Sequence, residues 1–177
     1  MITIFIYHYF LAHGVQYFIH SLVHYKYCPS FISNEHRLHH QTPHKITWYG
    51  NPTVQTDIVG IYFIAFVLYT LHIFLCYKKY LVHLLCFVLL AMSFLVFHGL
   101  CHYLSKETQE KLPILNLLFF HHYKHHIMKA NNFGFGDLFY DYLFGTLDVS
   151  PITLNKKTIE SFDEKYFVKH EKNYFSF

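Results

Sequence analysis

Three long stretches of the chain contain no aspartate, glutamate, lysine or arginine, and they cover residues 2–25, 58–77 and 80–104. Each is long enough to cross a bilayer core as a helix, which takes about 20 residues. Only Lys78 and Lys79 separate the second stretch from the third, so these two stretches predict a helical hairpin. The pattern therefore predicts an all-α, integral-membrane helical bundle with about three apolar spans.

The segments between these stretches are polar, and their order predicts the side of the membrane on which they lie. If the hairpin goes out and returns, every polar segment except the Lys78-Lys79 turn shares one face. That face carries 12 of the 14 lysines and arginines, since only the two turn lysines lie elsewhere, and the positive-inside rule makes it cytoplasmic. Residues 150–177 are rich in charge and carry no motif. We therefore expect a membrane domain over residues 1–149 and a polar C-terminal tail over residues 150–177.

The composition narrows the class of protein further. Hydrophobic residues make up 53% of the 177 residues and charged residues only 14%, whereas a soluble domain has about 25% charged residues. The net charge of +3 is too small to indicate nucleic-acid binding, and 20 phenylalanines with 16 tyrosines argue against disorder. The four cysteines form no CxxC pair, which argues against a disulfide framework or a zinc ribbon. Histidine is the exceptional residue, with 17 copies.

Four short motifs contain ten of these histidines. Two have HxxxH spacing, in HSLVH and HGLCH, and two have HxxHH spacing, in HRLHH and HYKHH. Because positions i, i+3 and i+4 share one face of a helix, each HxxHH motif is expected to aim three imidazoles at one point. Ten imidazoles exceed the four ligands of a structural zinc site and predict two metal ions with about five ligands each. The candidate metal ligands are His20, His24, His36, His39, His40, His98, His102, His122, His125 and His126.

The chemistry of these motifs favours redox metals. Neither HxxHH motif contains the glutamate that acts as the hydrolytic base in HExxH. A two-metal, all-histidine site suits dioxygen chemistry better than hydrolysis, although zinc also binds imidazole. Of the other histidines, His72 and His83 lie toward the lysine turn and are expected to pack at the membrane interface or between helices. His13, His44 and His121 lie close enough to the motifs to contribute to the site.

The order of the motifs, followed by Asn132-Phe-Gly134 and Asp141-Tyr-Leu-Phe-Gly145-Thr146, resembles the fatty acid hydroxylase and sterol desaturase superfamily. Members are integral-membrane, non-haem di-iron oxygenases, and the similarity runs from about residue 17 to residue 147. The resemblance implies that the ten histidines hold two iron ions, for which zinc can substitute. We expect Asp141 to accept a hydrogen bond from the second ring nitrogen of a ligand; a turn or cap role is the alternative. One departure is Ser21, where the family often has an arginine.

The resemblance also implies a lipid substrate, dioxygen as co-substrate and two electrons from a partner. The chain shows no HPGG motif of a cytochrome b5 domain. The electrons are therefore expected from a separate donor, such as cytochrome b5 or ferredoxin with its reductase. The expected location is the endoplasmic reticulum in a eukaryote or the cytoplasmic membrane in a bacterium, with the metal site facing the cytoplasm. The lipid stays open among fatty acid, sphingolipid and sterol, as does the choice between hydroxylation and desaturation.

Two alternatives remain at the level of the sequence. Short membrane hydroxylases of carotenoid rings have a similar size and related motifs, so a carotenoid ring hydroxylase is the first alternative. The second, from another class, is a membrane protein that transports or stores metal. Transport requires ligands near the bilayer midplane, whereas the four motifs are expected at one face.

Overall fold

The computed structural model of the chain describes residues 2–41, 67–76, 78 and 80–166. Within these residues every regular element is a helix and none is a strand, which confirms the predicted all-α class. The helices are α1 (Ile2–His24), α2 (Ser30–Gln41), α3 (Val67–Cys76), α4 (Tyr80–Tyr103), α5 (Lys106–Glu110), α6 (Pro113–Met128), α7 (Phe139–Leu143) and α8 (Lys156–Tyr166).

The three predicted spans fare differently in the structure. Helix α4 is the one helix among the described residues that is long and apolar enough to cross a membrane. Helix α1 has 23 residues, but His8, His13, Gln16 and His20 form a buried polar row along it, and it is not apolar enough. Of the second predicted span, only the part within α3 is described. One apolar helix is weak support for membrane association, so the three-span bundle stays a prediction.

The packing of α1 against α4, with α3 beside them, forms the apolar core. Its buried residues are Ala12, Tyr69, Ile73, Phe87, Leu90 and Phe94. The Tyr69 and Phe87 rings stack with their centroids 3.9 Å apart. A hydrogen bond of 2.7 Å joins His8 Nε2 to His83 Nδ1, and the Tyr69 hydroxyl contacts His8 Nδ1. His83 therefore packs between helices, which was one of the two roles expected for it.

Local signals set the ends of the helices that carry the motifs. Pro113 occupies the first turn of α6, where its missing N–H costs no hydrogen bond. Helix α6 ends at Met128 and is capped by Lys129, which has a left-handed φ of 56° and donates its backbone N–H to the His125 carbonyl. Gly145, with φ of 70°, comes two residues after the end of α7, in the left-handed conformation that often follows a helix.

The segment expected to be a polar tail contains helix α8. The last residue of α8, Tyr166, is fully buried although the helix is otherwise largely polar and exposed. The Tyr166 ring lies 4.5 Å from the His102 ring, measured between centroids. The boundary at residue 149 stays a prediction, and the residues after it include one that packs against the histidine-rich region.

Candidate metal centre

The structure brings all ten candidate histidines together in two groups of five. In each group the candidate ligand nitrogens lie within 4.8 Å of one another. Eight of the ten side chains are buried, and His24 and His98 are half-buried. Cluster A consists of His20, His24, His36, His40 and His125, and cluster B consists of His39, His98, His102, His122 and His126.

The assignment of residues to clusters corrects one expectation. Neither HxxHH motif aims its three imidazoles at one point. On a helix of 3.6 residues per turn, position i+4 lies about 40° to one side of position i, and position i+3 about 60° to the other side. The outer pair of each motif therefore shares one cluster, while the middle histidine contributes to the other.

Helices α2 and α6 contribute to the two clusters in opposite ways. His36 and His40 of α2 lie in cluster A, and His39 lies in cluster B. In α6 the outer pair, His122 and His126, lies in cluster B, and the middle residue lies in cluster A. Both helices thus contribute to both clusters, whereas each HxxxH motif serves a single cluster.

The spacing of the ring nitrogens matches that of ligands around one metal ion. In cluster A the Nε2 atom of His36 lies 3.1 Å from that of His20, 2.7 Å from that of His24 and 3.0 Å from that of His40. In cluster B the Nε2 atoms of His39 and His98 are 3.0 Å apart. Two nitrogens bound at right angles to one metal at about 2.1 Å are about 3.0 Å apart.

In two ligands of cluster A, the hydrogen bond of the second ring nitrogen shows which nitrogen carries the proton. Nδ1 of His20 donates to the Phe133 carbonyl at 2.6 Å, and Nδ1 of His125 donates to the Asn131 carbonyl at 2.7 Å. Because a carbonyl can only accept, these Nδ1 atoms carry the proton and each Nε2 directs a lone pair into its cluster. Lone pairs that face one another at about 3 Å repel unless a cation lies between them, and the ring nitrogens of both clusters have this spacing. The residues present therefore fit a bound metal ion in each cluster.

Electrostatics keeps these imidazoles in the neutral form that binds metal. Burial lowers the pKa of each α2 and α6 ligand well below the usual histidine value, and repulsion between imidazoles, if more than one were protonated, lowers it further. This holds for His36, His39, His40, His122, His125 and His126.

Two aromatic residues at the clusters were missed by sequence reasoning. The Phe135 ring stacks on His98 with centroids 4.8 Å apart, and it also lies 4.5 Å from the ring of His20. Phe135 therefore touches both clusters. Tyr166 covers cluster B, where its carbonyl accepts a hydrogen bond from Nδ1 of His102 at 3.3 Å. Proximity to the Asn132-Phe-Gly134 motif could have indicated Phe135, but no local signal marks Tyr166.

Asp141 has different partners from those expected. It is fully buried and accepts hydrogen bonds from the backbone N–H groups of Phe133 and Gly134, at 2.8 and 2.7 Å. It also accepts from the Thr146 hydroxyl at 2.7 Å and lies 3.1 Å from Nε2 of His121. Asp141 thus bonds none of the ten histidines directly. Asp141 is linked to cluster A through Phe133. The backbone N–H of Phe133 bonds Asp141, and its carbonyl accepts the hydrogen bond from His20.

The other residues considered for the site are placed as follows. His121 lies beside Asp141 and belongs to neither cluster. His13 pairs with Asp137 and packs against the Phe94 ring, outside both clusters. His44 lies outside the described residues. His121 therefore contributes to the site indirectly, through the Asp141 carboxylate.

The loop between α6 and α7 lies over the clusters, and its shape depends on two residues of the Asn132-Phe-Gly134 motif. Asn132 adopts a left-handed φ of 60°, and its side chain accepts the backbone N–H of Asp148 at 2.7 Å. A Cβ atom on Gly134 would lie 2.6 Å from the Asp137 carbonyl oxygen and 2.9 Å from Asp141 Oδ2. Only glycine fits there without displacing that backbone, so Asn132 and Gly134 both shape this turn.

Gln16 clamps the same loop from α1. Its Nε2 donates to the Phe133 carbonyl and its Oε1 accepts the Phe135 N–H, both at 3.0 Å. We expect Gln16→Leu to lower the metal content toward one ion per chain, because the carbonyl that orients His20 is freed. Elemental analysis of the purified variant checks this.

A matched control for this variant is Gln109→Leu. Gln109 is also buried, and its Nε2 donates to the carbonyls of Cys101 and Leu104 at 2.8 and 3.1 Å. Each substitution costs about 1–3 kcal/mol for the buried groups left unpaired. Equal metal loss in both variants would mean that general destabilisation, and not the loop, releases the metal.

A cavity of about 980 Å³ opens beside cluster A. His24 and His40 form part of its wall, together with mostly apolar side chains. This volume lies at the upper end of the range for small-molecule sites, roughly 300–1,000 Å³. The cavity gives a ligand of substantial size access to cluster A.

In comparisons with known proteins, no family model, no curated protein and no solved structure matches the chain. The resemblance to the fatty acid hydroxylase and sterol desaturase superfamily therefore stays a prediction from the motifs. The two five-histidine clusters in the described part of the chain are independent of that resemblance. They identify a centre that could hold two metal ions.

Proposed function

We propose that the protein is a membrane-bound oxygenase with two iron ions, which hydroxylates or desaturates a C–H bond of a lipid. It uses dioxygen and electrons from a separate redox partner. The observation that supports this most is the pair of adjacent five-histidine clusters shared by α2 and α6. Five nitrogen ligands for each ion would leave room for dioxygen or substrate to bind, and imidazole suits iron.

The residues of the chain have separable tasks in this proposal. The ten histidines would hold the two ions, and bound iron would supply the activation of dioxygen. The carbonyls of Phe133 and Asn131 fix the orientation of His20 and His125. The Phe135 ring packs against His20 of cluster A and His98 of cluster B, where it would help to exclude bulk water.

Exposed apolar residues support a membrane location. Leu81, Leu85 and Leu89 are 65%, 59% and 59% exposed, and their spacing of four residues places them in one row on α4. A row of that kind is typical of a surface that contacts lipid or a partner. His98 and His102 lie at the end of α4 opposite to Lys78, so the clusters are proposed at the cytoplasmic face and Lys78 at the other.

We expect the purified full-length protein to carry close to two metal ions per chain. The reason is that each cluster presents five converging nitrogens, more than a structural zinc ion requires. Elemental analysis after reconstitution with iron measures the ratio. One ion per chain or fewer would contradict the two-metal centre, whereas zinc in place of iron would not.

The proposed reaction is tested by supplying reduced, iron-loaded protein with ¹⁸O₂ and membrane lipids. We expect lipid products that carry ¹⁸O or have lost two hydrogens, detected by mass spectrometry. The His39→Ala variant is the control and should yield neither product. Iron-loaded protein that forms no lipid product, but carries metal across sealed vesicles, would replace the oxygenase proposal with metal transport.

A further inference from the structure

The cavity beside cluster A has an apolar wall and a basic edge. Tyr17, Phe18, Leu22 and Met128 supply apolar surface, and Arg37 and Lys129 also line the cavity. No aspartate or glutamate is among the described residues that line it. The described lining of the cavity is therefore partly apolar and partly basic, and its charged side chains are all positive.

The two cations are placed close to the ligands of cluster A. Arg37 directly follows His36 in α2, and the backbone N–H of Lys129 bonds the His125 carbonyl at 2.7 Å. Both charges are near enough to His24 to act on it electrostatically. Both side chains are exposed, and neither forms an ion pair within the described part of the chain. Among the described side chains, therefore, no carboxylate neutralises either cation.

We propose that this cavity binds a single-chain lipid with a carboxylate head, which pairs with Arg37 and Lys129 while the chain lies on the apolar wall. The inference rests on the proposed lipid oxygenase and selects its substrate class by charge. The planar guanidinium of arginine binds a carboxylate through two parallel hydrogen bonds. A neutral sterol or carotenoid would leave both cations without a partner in the cavity.

The test compares an acid with its uncharged ester. Full-length protein in nanodiscs of phosphatidylcholine is mixed with nitroxide-labelled stearic acid or with its methyl ester. The measurement is made at about pH 9, where the acid is ionised and lysine keeps its charge. The immobilised fraction in the electron paramagnetic resonance spectrum measures binding. The variant is Arg37→Gln with Lys129→Gln, and the control is Lys26→Gln, an exposed lysine outside the cavity.

We expect the double variant to bind the acid about tenfold more weakly, with ester binding unchanged. The control should bind both probes like the original protein. Equal binding of acid and ester by the original protein, or equal loss in variant and control, would overturn the proposal. Displacement of the acid by a lysophosphatidic acid at much lower concentration would also overturn it, in favour of a phosphate head.

These outcomes are separable from the fate of the oxygenase proposal. Binding is measured without turnover, so selective acid binding by a protein that oxidises no lipid would leave the binding inference standing alone. Conversely, oxidation of neutral lipid with charge-independent binding would overturn the inference and keep the oxygenase.

Discussion

Replacing His39 with alanine is expected to remove the metal ion of cluster B and abolish turnover. The other two histidines of its motif should still bind the ion of cluster A. The reason is that His39 belongs to cluster B, where its Nε2 lies 3.0 Å from that of His98. His36 and His40 belong to cluster A. Elemental analysis and the assay for oxidised lipid measure the two effects.

Double substitutions distinguish the crossed arrangement from motifs that act as units. His36→Ala with His39→Ala changes one motif but both clusters, so we expect almost no bound metal. His36→Ala with His125→Ala changes two motifs but only cluster A, so we expect one ion per chain. The reverse pattern would show that each HxxHH motif binds its own ion.

His83→Ala is the control for a buried histidine outside the clusters. His83 bonds His8 in the core between α1 and α4 and lies 15 residues before His98, about 22 Å along the helix. We expect two ions per chain and retained turnover. If His83→Ala lost metal and turnover as completely as His39→Ala, the proposed position of the metal centre would be wrong.

Replacing Asp141 with alanine is expected to produce the largest loss of stability among the variants considered. The substitution leaves the N–H groups of Phe133 and Gly134 and the ring of His121 without their buried acceptor. At about 1 kcal/mol or more for each unpaired group, the free energy of unfolding should fall by at least about 3 kcal/mol. Chemical denaturation of the detergent-solubilised protein measures this.

A matched aspartate separates this effect from the loss of any hydrogen-bonded carboxylate. Asp163 accepts a hydrogen bond from the Tyr123 hydroxyl at 2.6 Å and pairs with Lys106, but its side chain is 25% exposed. We expect Asp163→Ala to cost less, because water can replace its contacts. Equal losses would mean that the loop over the clusters does not depend on Asp141.

The Asp141 carboxylate also makes the stability of the protein decrease at acidic pH. Burial by itself would raise the pKa of Asp141, but hydrogen bonds from His121, Thr146 and the Gly134 N–H outweigh burial and lower it below 3.8. A carboxylate with a lowered pKa stabilises the fold above its unfolded value and loses that contribution as the pH falls through the folded value. The stability of the original protein should therefore decline below about pH 4 more steeply than that of Asp141→Ala.

The sequence by itself determined the helical class and the identity of the converging histidines. Apolar stretches of about 20 residues and i, i+4 spacings such as His20 and His24 encode helices with ligands on one side. Turn residues are equally local, since Gly145 and Asn132 occupy left-handed conformations that few other residues adopt easily. Such features depend only on neighbours along the chain.

Only the tertiary structure decided which histidines share a cluster and what holds them. Helical spacing shows that His39 points in a different direction from His36 and His40. Which cluster it joins depends on where α4 and α6 lie. The contacts of Asp141 with Phe133, and of Gln16 with the same loop, join residues up to 119 positions apart. Tyr166 covers cluster B from a segment without any local signal. Contacts between distant segments arise from the packing of whole helices, which local spacing does not encode.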